Sequence, residues 1–253
     1  MRKRLDVVLV ERGLAESRAQ AQALVLAGLV PGYTKPGQQV ADDAELEVER
    51  PPRFVSRGGD KLAHALDALG VDPAGTDCLD LGASTGGFTD CLLQRGAARV
   101  IAVDVGYGQL HPRLRDDDRV TVLERVNARN LPPLPFAPEL IACDVSFISA
   151  LKVLPPAIAQ AAPSWEALVL VKPQFEAGRA DSPKGVVRDP DVHRRVLRAF
   201  CAEAIGWGAR VAGVVDSGHP GPKGNREFLV YLIASASPSS PDDIERRIEH
   251  AVA

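Results

Sequence analysis

Paired cysteines, a long apolar run and an excess of positive charge are all missing from this 253-residue sequence. Each absence removes a class of function. The four cysteines, Cys78, Cys91, Cys143 and Cys201, are widely spaced and form no C-x-x-C. That argues against a zinc site and a disulfide framework, and for reduced thiols in a cytoplasmic protein. No other metal-ligand spacing is visible, so no metal is expected. The apolar run Ala167-Leu-Val-Leu-Val171 stops at Lys172, far short of the length that spans a bilayer. The chain starts Met-Arg-Lys-Arg and runs straight into an amphipathic pattern, with no apolar signal core. A membrane partner is therefore not expected. The formal net charge is −3, so a nucleic-acid partner cannot be read from the total, and any basic surface must be local. Internal repeats are absent as well.

What is present is the make-up of a folded protein. Hydrophobic residues at 45% and charged residues at 25% suit a chain with a core to bury, with room for a medium domain and a small one. Residues 1–50 read as the small one. Leu5, Val8, Leu9 and Val10 cluster at helical spacing up to a stop at Gly13. Ser17 can cap a second helix, Arg18 to Ala27, ended by Gly28. Two short extended pieces are expected between Val30 and Val48, around Lys35-Pro-Gly37. The prolines of Arg50-Pro-Pro-Arg53 stop the preceding strand and stiffen a linker over 51–58.

From 59 to 253 the pattern changes. A helix is expected from Gly59 to Leu69. Apolar strands follow at Cys78–Asp80, Val100–Asp104, Val120–Leu123, Leu140–Asp144, Leu168–Lys172, Arg210–Val215 and Phe228–Ile233. Seven strands with helical stretches between them argue a mainly parallel α/β sheet covered on both faces. The stretch Ser235–Pro241 sets off a short charged helix running to Ala253.

The segment Asp80-Leu-Gly-Ala-Ser-Thr-Gly-Gly-Phe-Thr89 carries the first chemistry. A strand that stops at an acid, turns on glycines and enters a helix is a nucleotide-type binding loop. Gly82, Gly86 and Gly87 permit left-handed backbone and close approach of a ligand. Ser84 holds the second glycine's place, so this is not a dinucleotide fingerprint, and it lacks the Gly-Lys-Ser/Thr ending of a P-loop. The closest pattern is the first motif of S-adenosylmethionine methyltransferases, which assigns Asp80, Gly82, Ser84, Gly86, Gly87 and Phe88 to the cofactor. Val100-Ile-Ala-Val-Asp104 ends in an acid 22 positions after Gly82, where doubly wound folds grip ribose hydroxyls. Alone, Asp104 would read as a strand-end turn residue; beside the glycine turn it reads as the ribose ligand.

Ligands in such sheets bind beyond the carboxyl ends of the strands. Asp144 and Lys172 each end a strand, Lys61 sits in the helix before the sheet, and Glu227 precedes the last strand. Each alone is ordinarily a salt-bridge or turn residue. Together they offer two lysines and two carboxylates that could converge at a reacting methyl.

Two resemblances sharpen the reading. Arg4-Leu-Asp6, Gly13-Leu-Ala-Glu-Ser-Arg18 and Ala27-Gly-Leu-Val30 resemble the small α+β RNA-binding module of the S-four type, first described in a ribosomal protein. The resemblance implies that Arg4 and Arg18 meet RNA phosphate, aided by the helix N-terminus and by Arg2, Lys3 and Arg12. Without it, the hairpin would read as a solvated surface. Ser56-Arg-Gly-Gly-Asp-Lys-Leu62, the Asp80–Thr89 turn, Cys143-Asp-Val-Ser-Phe147, Val171-Lys-Pro-Gln-Phe-Glu176 and Gly224-Asn-Arg-Glu-Phe228 are similar to the TlyA family. That family is known both as hemolysins and as ribosomal RNA 2′-O-methyltransferases, with an FtsJ-like catalytic domain. One position departs: Phe54 stands before Val55-Ser56-Arg57 where the family carries tryptophan.

The family resemblance implies a Rossmann-like methyltransferase fold, S-adenosylmethionine as cofactor, and ribosomal RNA within ribosomal subunits as partner. It places the catalytic set on Lys61, Asp144, Lys172 and Glu227, and the target on a cytidine ribose of 16S or 23S RNA. The residue types suit that chemistry. A ribose hydroxyl is a very weak acid and needs a base as it attacks. A lysine normally keeps its proton up to about pH 10, so a neighbouring ammonium and partial burial are needed to unload it. Lys172 is expected to be the base and Lys61 its neighbour or a substrate clamp, with both carboxylates orienting. A pore-forming hemolysin would need a membrane-inserting segment or long alternating strands, which the sequence does not display. An RNA-binding protein with an inactive catalytic domain would have lost the glycine turn or the lysines, yet both are kept. A methyltransferase for small molecules or protein has no use for the N-terminal module.

Overall fold

The computed structural model describes residues 2–49, 52–178, 180–235, 237 and 239–253. Arg50 and Pro51 of the expected linker, and Ala236 and Pro238 of the expected Ser/Pro stretch, lie outside the described residues. The chain divides into two units, Met1–Pro52 and Arg53–Ala253.

In the first unit a three-residue strand, β1 (Arg2–Arg4), leads directly into α1 (Leu5–Glu11), and α2 (Arg18–Leu26) follows. Ser17 Oγ accepts a hydrogen bond from Gln20 N at 3.2 Å, and Glu16 N donates to Gln20 Oε1 at 2.6 Å. This exchange satisfies amides that the helix start leaves open. Leu5, Leu9, Ala21, Val25, Val30 and Val40 form the core. Of the two extended pieces expected after Val30, only β2 (Gln39–Ala41) is a strand. Its antiparallel partner is β1, with Lys3 opposite Val40. The basic start of the chain reads as a leader into a helix because pairing, not propensity, makes so short a strand. Leu46 and Val48 pack on the core outside any strand.

The second unit begins at Arg53 and so includes residues 53–58. Phe54 is buried, and its ring lies so close to Gly59 that a Cβ there would come within 2.3 Å of Phe54 Cγ. Val55 N donates to Asp90 Oδ2 at 2.8 Å. The elements then run α3 (Arg57–Leu69), β3 (Asp77–Leu81), α4 (Gly87–Gln94), β4 (Arg99–Val103), α5 (Pro112–Arg115), β5 (Val120–Leu123) and β6 (Leu140–Cys143). They continue with α6 (Leu154–Ile158), β7 (Glu166–Val171), α7 (Pro173–Glu176), α8 (Pro190–Gly206), β8 (Ala209–Asp216), β9 (Phe228–Ala234) and α9 (Pro241–Val252).

The strands form one seven-stranded sheet in the order β5-β4-β3-β6-β7-β9-β8. Six run in one direction, and β9 lies antiparallel between β7 and β8. Alternate residues feed the two faces. Leu79, Ile101, Ile141 and Val169 pack towards α8 through Leu197 and Phe200. Cys78, Ala102, Leu140 and Leu168 pack towards α3 and α4 through Leu62, Leu66 and Leu92. Burial on both faces is what makes these strands continuous apolar runs. The order reverses at β3: the chain goes outward through β4 and β5, then returns to β6 on β3's other side. A crevice opens beyond the carboxyl ends at such a switch.

Candidate active site

Asp80, one residue before the end of β3, is wholly buried, and its Oδ2 accepts from Thr89 N at 2.9 Å and Thr89 Oγ1 at 2.7 Å. The acid therefore staples the two ends of the glycine turn. Burial pushes its carboxyl up to about 7. Gly82 has φ +87°, and a Cβ there would lie 2.5 Å from the carbonyl oxygen of Asp144. Glycine is thus what lets the ends of β3 and β6 close on each other. Ser84 holds the left-handed conformation expected of a glycine, with φ +49°. It is fixed there because its N–H donates to Asp104 Oδ2 at 2.8 Å and its hydroxyl to Gln109 Oε1 at 3.3 Å. Asp104 Oδ1 accepts from Gly106 N at 2.6 Å. The acid therefore organises both loops that flank it. Gly87 serves packing: a Cβ would fall 2.2 Å from Ser56 Oγ and 2.9 Å from Gly59 N, at the start of α3.

Beyond these strand ends lies a cavity of about 460 Å³ whose lining includes Gly82, Ser84, Asp104, Asn127 and Ser146. That volume suits a nucleoside-sized ligand. A smaller cavity of about 210 Å³ adjoins it, lined in part by Gly87, Phe88 and Lys172. A third, of about 610 Å³, is lined in part by Lys61, Lys172, Gln174 and Glu227. Asp144 and Ser146 line all three. Of the residues expected at a cofactor, Gly82, Ser84, Asp104, Gly87 and Phe88 line this space, whereas Asp80 and Gly86 act from behind it. Sequence reasoning missed Gln109, Asn127 and Ser146. A polar residue in the loop just after β5 is the signal that could have found Asn127.

The four charged residues expected to converge do so, as two ion pairs. Lys61 Nζ lies 2.5 Å from Glu227 Oε2, and Lys172 Nζ lies 2.5 Å from Asp144 Oδ1. Lys172 also donates to Ser146 Oγ at 2.9 Å, and Gln174 Nε2 donates to Glu227 Oε1 at 2.8 Å. Both lysines and Glu227 are buried. The arrangement puts the Lys172–Asp144 pair where the nucleoside-sized cavity meets the larger one, with the Lys61–Glu227 pair on the wall of the latter.

In the first unit, Arg4 and Arg18 both turn to the buried carboxylate of Asp6. Arg4 Nε and Nη2 donate at 3.0 and 2.9 Å, Arg18 Nη2 at 3.2 Å and Gln22 Nε2 at 2.8 Å. The bond from Arg4, followed by those from Gln22 and Arg18, holds this carboxyl well below the usual range despite its burial. About half of each arginine side chain still faces solvent, 45% for Arg4 and 56% for Arg18. Arg12 is tied to the carbonyls of Ala44 and Asp42.

Comparison with known proteins gives matches over both units. The family model for FtsJ-like methyltransferases matches residues 54–234, and that for the S4 domain matches residues 3–30. The chain is 47% identical to the Mycobacterium tuberculosis 16S/23S rRNA (cytidine-2′-O)-methyltransferase TlyA, over 91% of this chain and 90% of that one. It is 39% identical to Hemolysin A of Brachyspira hyodysenteriae, over 91% and 99%. A solved structure of a hemolysin-named protein from Streptococcus thermophilus superposes with a TM-score of 0.76 at 41% identity, covering 99% of this chain and 95% of that one. Among the described residues no helix is long and apolar enough to cross a membrane.

Proposed function

The chain belongs to the TlyA family of FtsJ-like methyltransferases, and we propose that it methylates a ribose 2′-hydroxyl of ribosomal RNA, using S-adenosylmethionine. The observation that carries this reading is the presence of two lysine–carboxylate pairs on the larger cavity, one of them where it meets the nucleoside-sized one. The target is a cytidine of 16S or 23S RNA, as in the name of the Mycobacterium tuberculosis relative. The enzyme works on ribosomal subunits in the cytoplasm, with the S4-like unit supplying RNA affinity through Arg18 and its neighbours.

The residues of the switch-point cavity fit the cofactor. Its volume suits a nucleoside, Asp104 offers carboxylate lone pairs on its wall, and Gly82 leaves the strand ends no obstructing side chain. When bound, S-adenosylmethionine supplies an electrophilic methyl on a sulfonium. The protein's own work is alignment and proton transfer. Lys172 Nζ accepts the proton of the 2′-hydroxyl as that oxygen attacks. Asp144 holds Lys172 in place. Lys61, fixed by Glu227, clamps the ribose. Mapping of 2′-O-methylation on ribosomal RNA, from cells with and without this protein, tests the proposal. A cytidine that loses its methyl in the deletion and regains it on complementation is expected, and an unchanged map would overturn the reading.

A further inference from the structure

We infer that Ser146 is a positioning residue of this site: its hydroxyl accepts a hydrogen bond from Lys172 Nζ and, with the carboxylate of Asp144 beside it, holds that nitrogen towards the substrate hydroxyl. The inference rests on methyl transfer to a ribose hydroxyl as proposed above, and adds a residue outside the lysine–carboxylate set.

The backbone explains why Ser146 can take this part. Past β6 the chain runs Asp144-Val-Ser-Phe147, and Val145 is buried in the core. Asp144 and Ser146, on either side of the buried Val145, both reach Nζ of Lys172, which follows the end of β7. Lys172 Nζ meets Asp144 Oδ1 at 2.5 Å and Ser146 Oγ at 2.9 Å. The hydrogen bond to Ser146 and the ion pair with Asp144 fix where Lys172 Nζ sits beside the cavities that it lines. Ser146 sits at the junction of all three cavities, so its contact with Lys172 lies beside the reacting atoms.

The test compares wild-type, Ser146→Ala and Ser146→Thr full-length chains in single-turnover methyl transfer to ribosomal RNA. Ser146→Ala is expected to slow transfer at saturating RNA by about 10- to 150-fold, the effect of one hydrogen bond to a charged group. Its affinities for S-adenosylmethionine and RNA should stay at wild-type values, and Ser146→Thr should restore most of the rate. A normal rate in Ser146→Ala, a defect confined to binding, or a threonine variant as slow as alanine would each overturn the inference. The contact is also read without turnover, in full-length protein carrying 15N at lysine Nζ. The Lys172 signal, identified by its loss in Lys172→Met, should move in Ser146→Ala. A signal that stays put would remove Ser146 from Lys172 while leaving methyl transfer standing. A wild-type protein that methylates no ribose would strike the functional reading, and the 15N signal would still decide the contact.

Discussion

Lys61 and Glu227 stand 166 positions apart in the chain and 2.5 Å apart in the fold, Nζ to Oε2. The pair joins α3, the helix before the sheet, to the loop that precedes β9, and Gln174 Nε2 donates to the second carboxylate oxygen. An ion pair this deeply buried contributes little net stability, but breaking one side leaves an uncompensated charge.

Lys61→Met is therefore expected to lower the unfolding free energy by about 3–5 kcal/mol, read from urea titration. Lys61→Met with Glu227→Leu should recover most of the loss, because the stranded charge is gone. A single variant as stable as wild-type, or a double variant with no recovery, would contradict the pairing.

Asp104 binds two backbone amides, of Ser84 and Gly106, and lines the nucleoside-sized cavity. Asp104→Ala should weaken S-adenosylmethionine binding in calorimetry by about 1–3 kcal/mol. Asp104→Asn should fall between, since one amide oxygen can still accept. Wild-type affinity in a folded Asp104→Ala chain would take the cofactor away from this cavity.

Asp6 is buried, and its hydrogen bonds, that from Arg4 first, hold its carboxyl below the usual range. A carboxyl depressed on folding stabilises the native state above the unfolded value of about 4 and loses that contribution as pH falls further. Arg4→Ala should thus melt below wild-type at pH 7, and the gap should narrow below about pH 4. An equal gap at pH 7 and pH 3 would contradict the role given to Arg4.

Arg18 makes one weaker bond to Asp6 and is more exposed than Arg4, which makes it the cleaner probe of RNA contact. Arg18→Ala should weaken RNA binding, and the slope of log K against log salt should fall by about 1. An unchanged affinity and slope would leave this arginine a purely structural residue.

Much of the second unit was legible because its strands are buried on both faces and end at polar residues. The run Val100–Asp104 and the strand Arg99–Val103 differ by one residue at each end. The order of the sheet was not legible, since β9 is as apolar as its neighbours and nothing local says that it inserts antiparallel between β7 and β8. The glycine turn gave the cavity, which Gly87 lines, but not that Gly87 also packs against the start of α3, because a pattern cannot tell close approach to a ligand from close approach to protein. Ser146 escaped notice since a single serine after a strand carries no spacing signal. Arg4 and Arg18 were read only as contacts for RNA phosphate, because the burial of Asp6, to which both donate, depends on tertiary packing.

The central claim is that Lys172 accepts the hydroxyl proton, and single-turnover methyl transfer to ribosomal RNA by Lys172→Ala and Lys172→Arg tests it most directly. Both variants should bind S-adenosylmethionine and RNA at near wild-type affinity. Both should lose transfer by about 100- to 10,000-fold, the range of a general base. Arginine keeps the charge beside Asp144 but holds its proton throughout the accessible pH range, so it should fare no better than alanine. A Lys172→Arg chain with a near-normal single-turnover rate would contradict the account and leave residue 172 an electrostatic clamp.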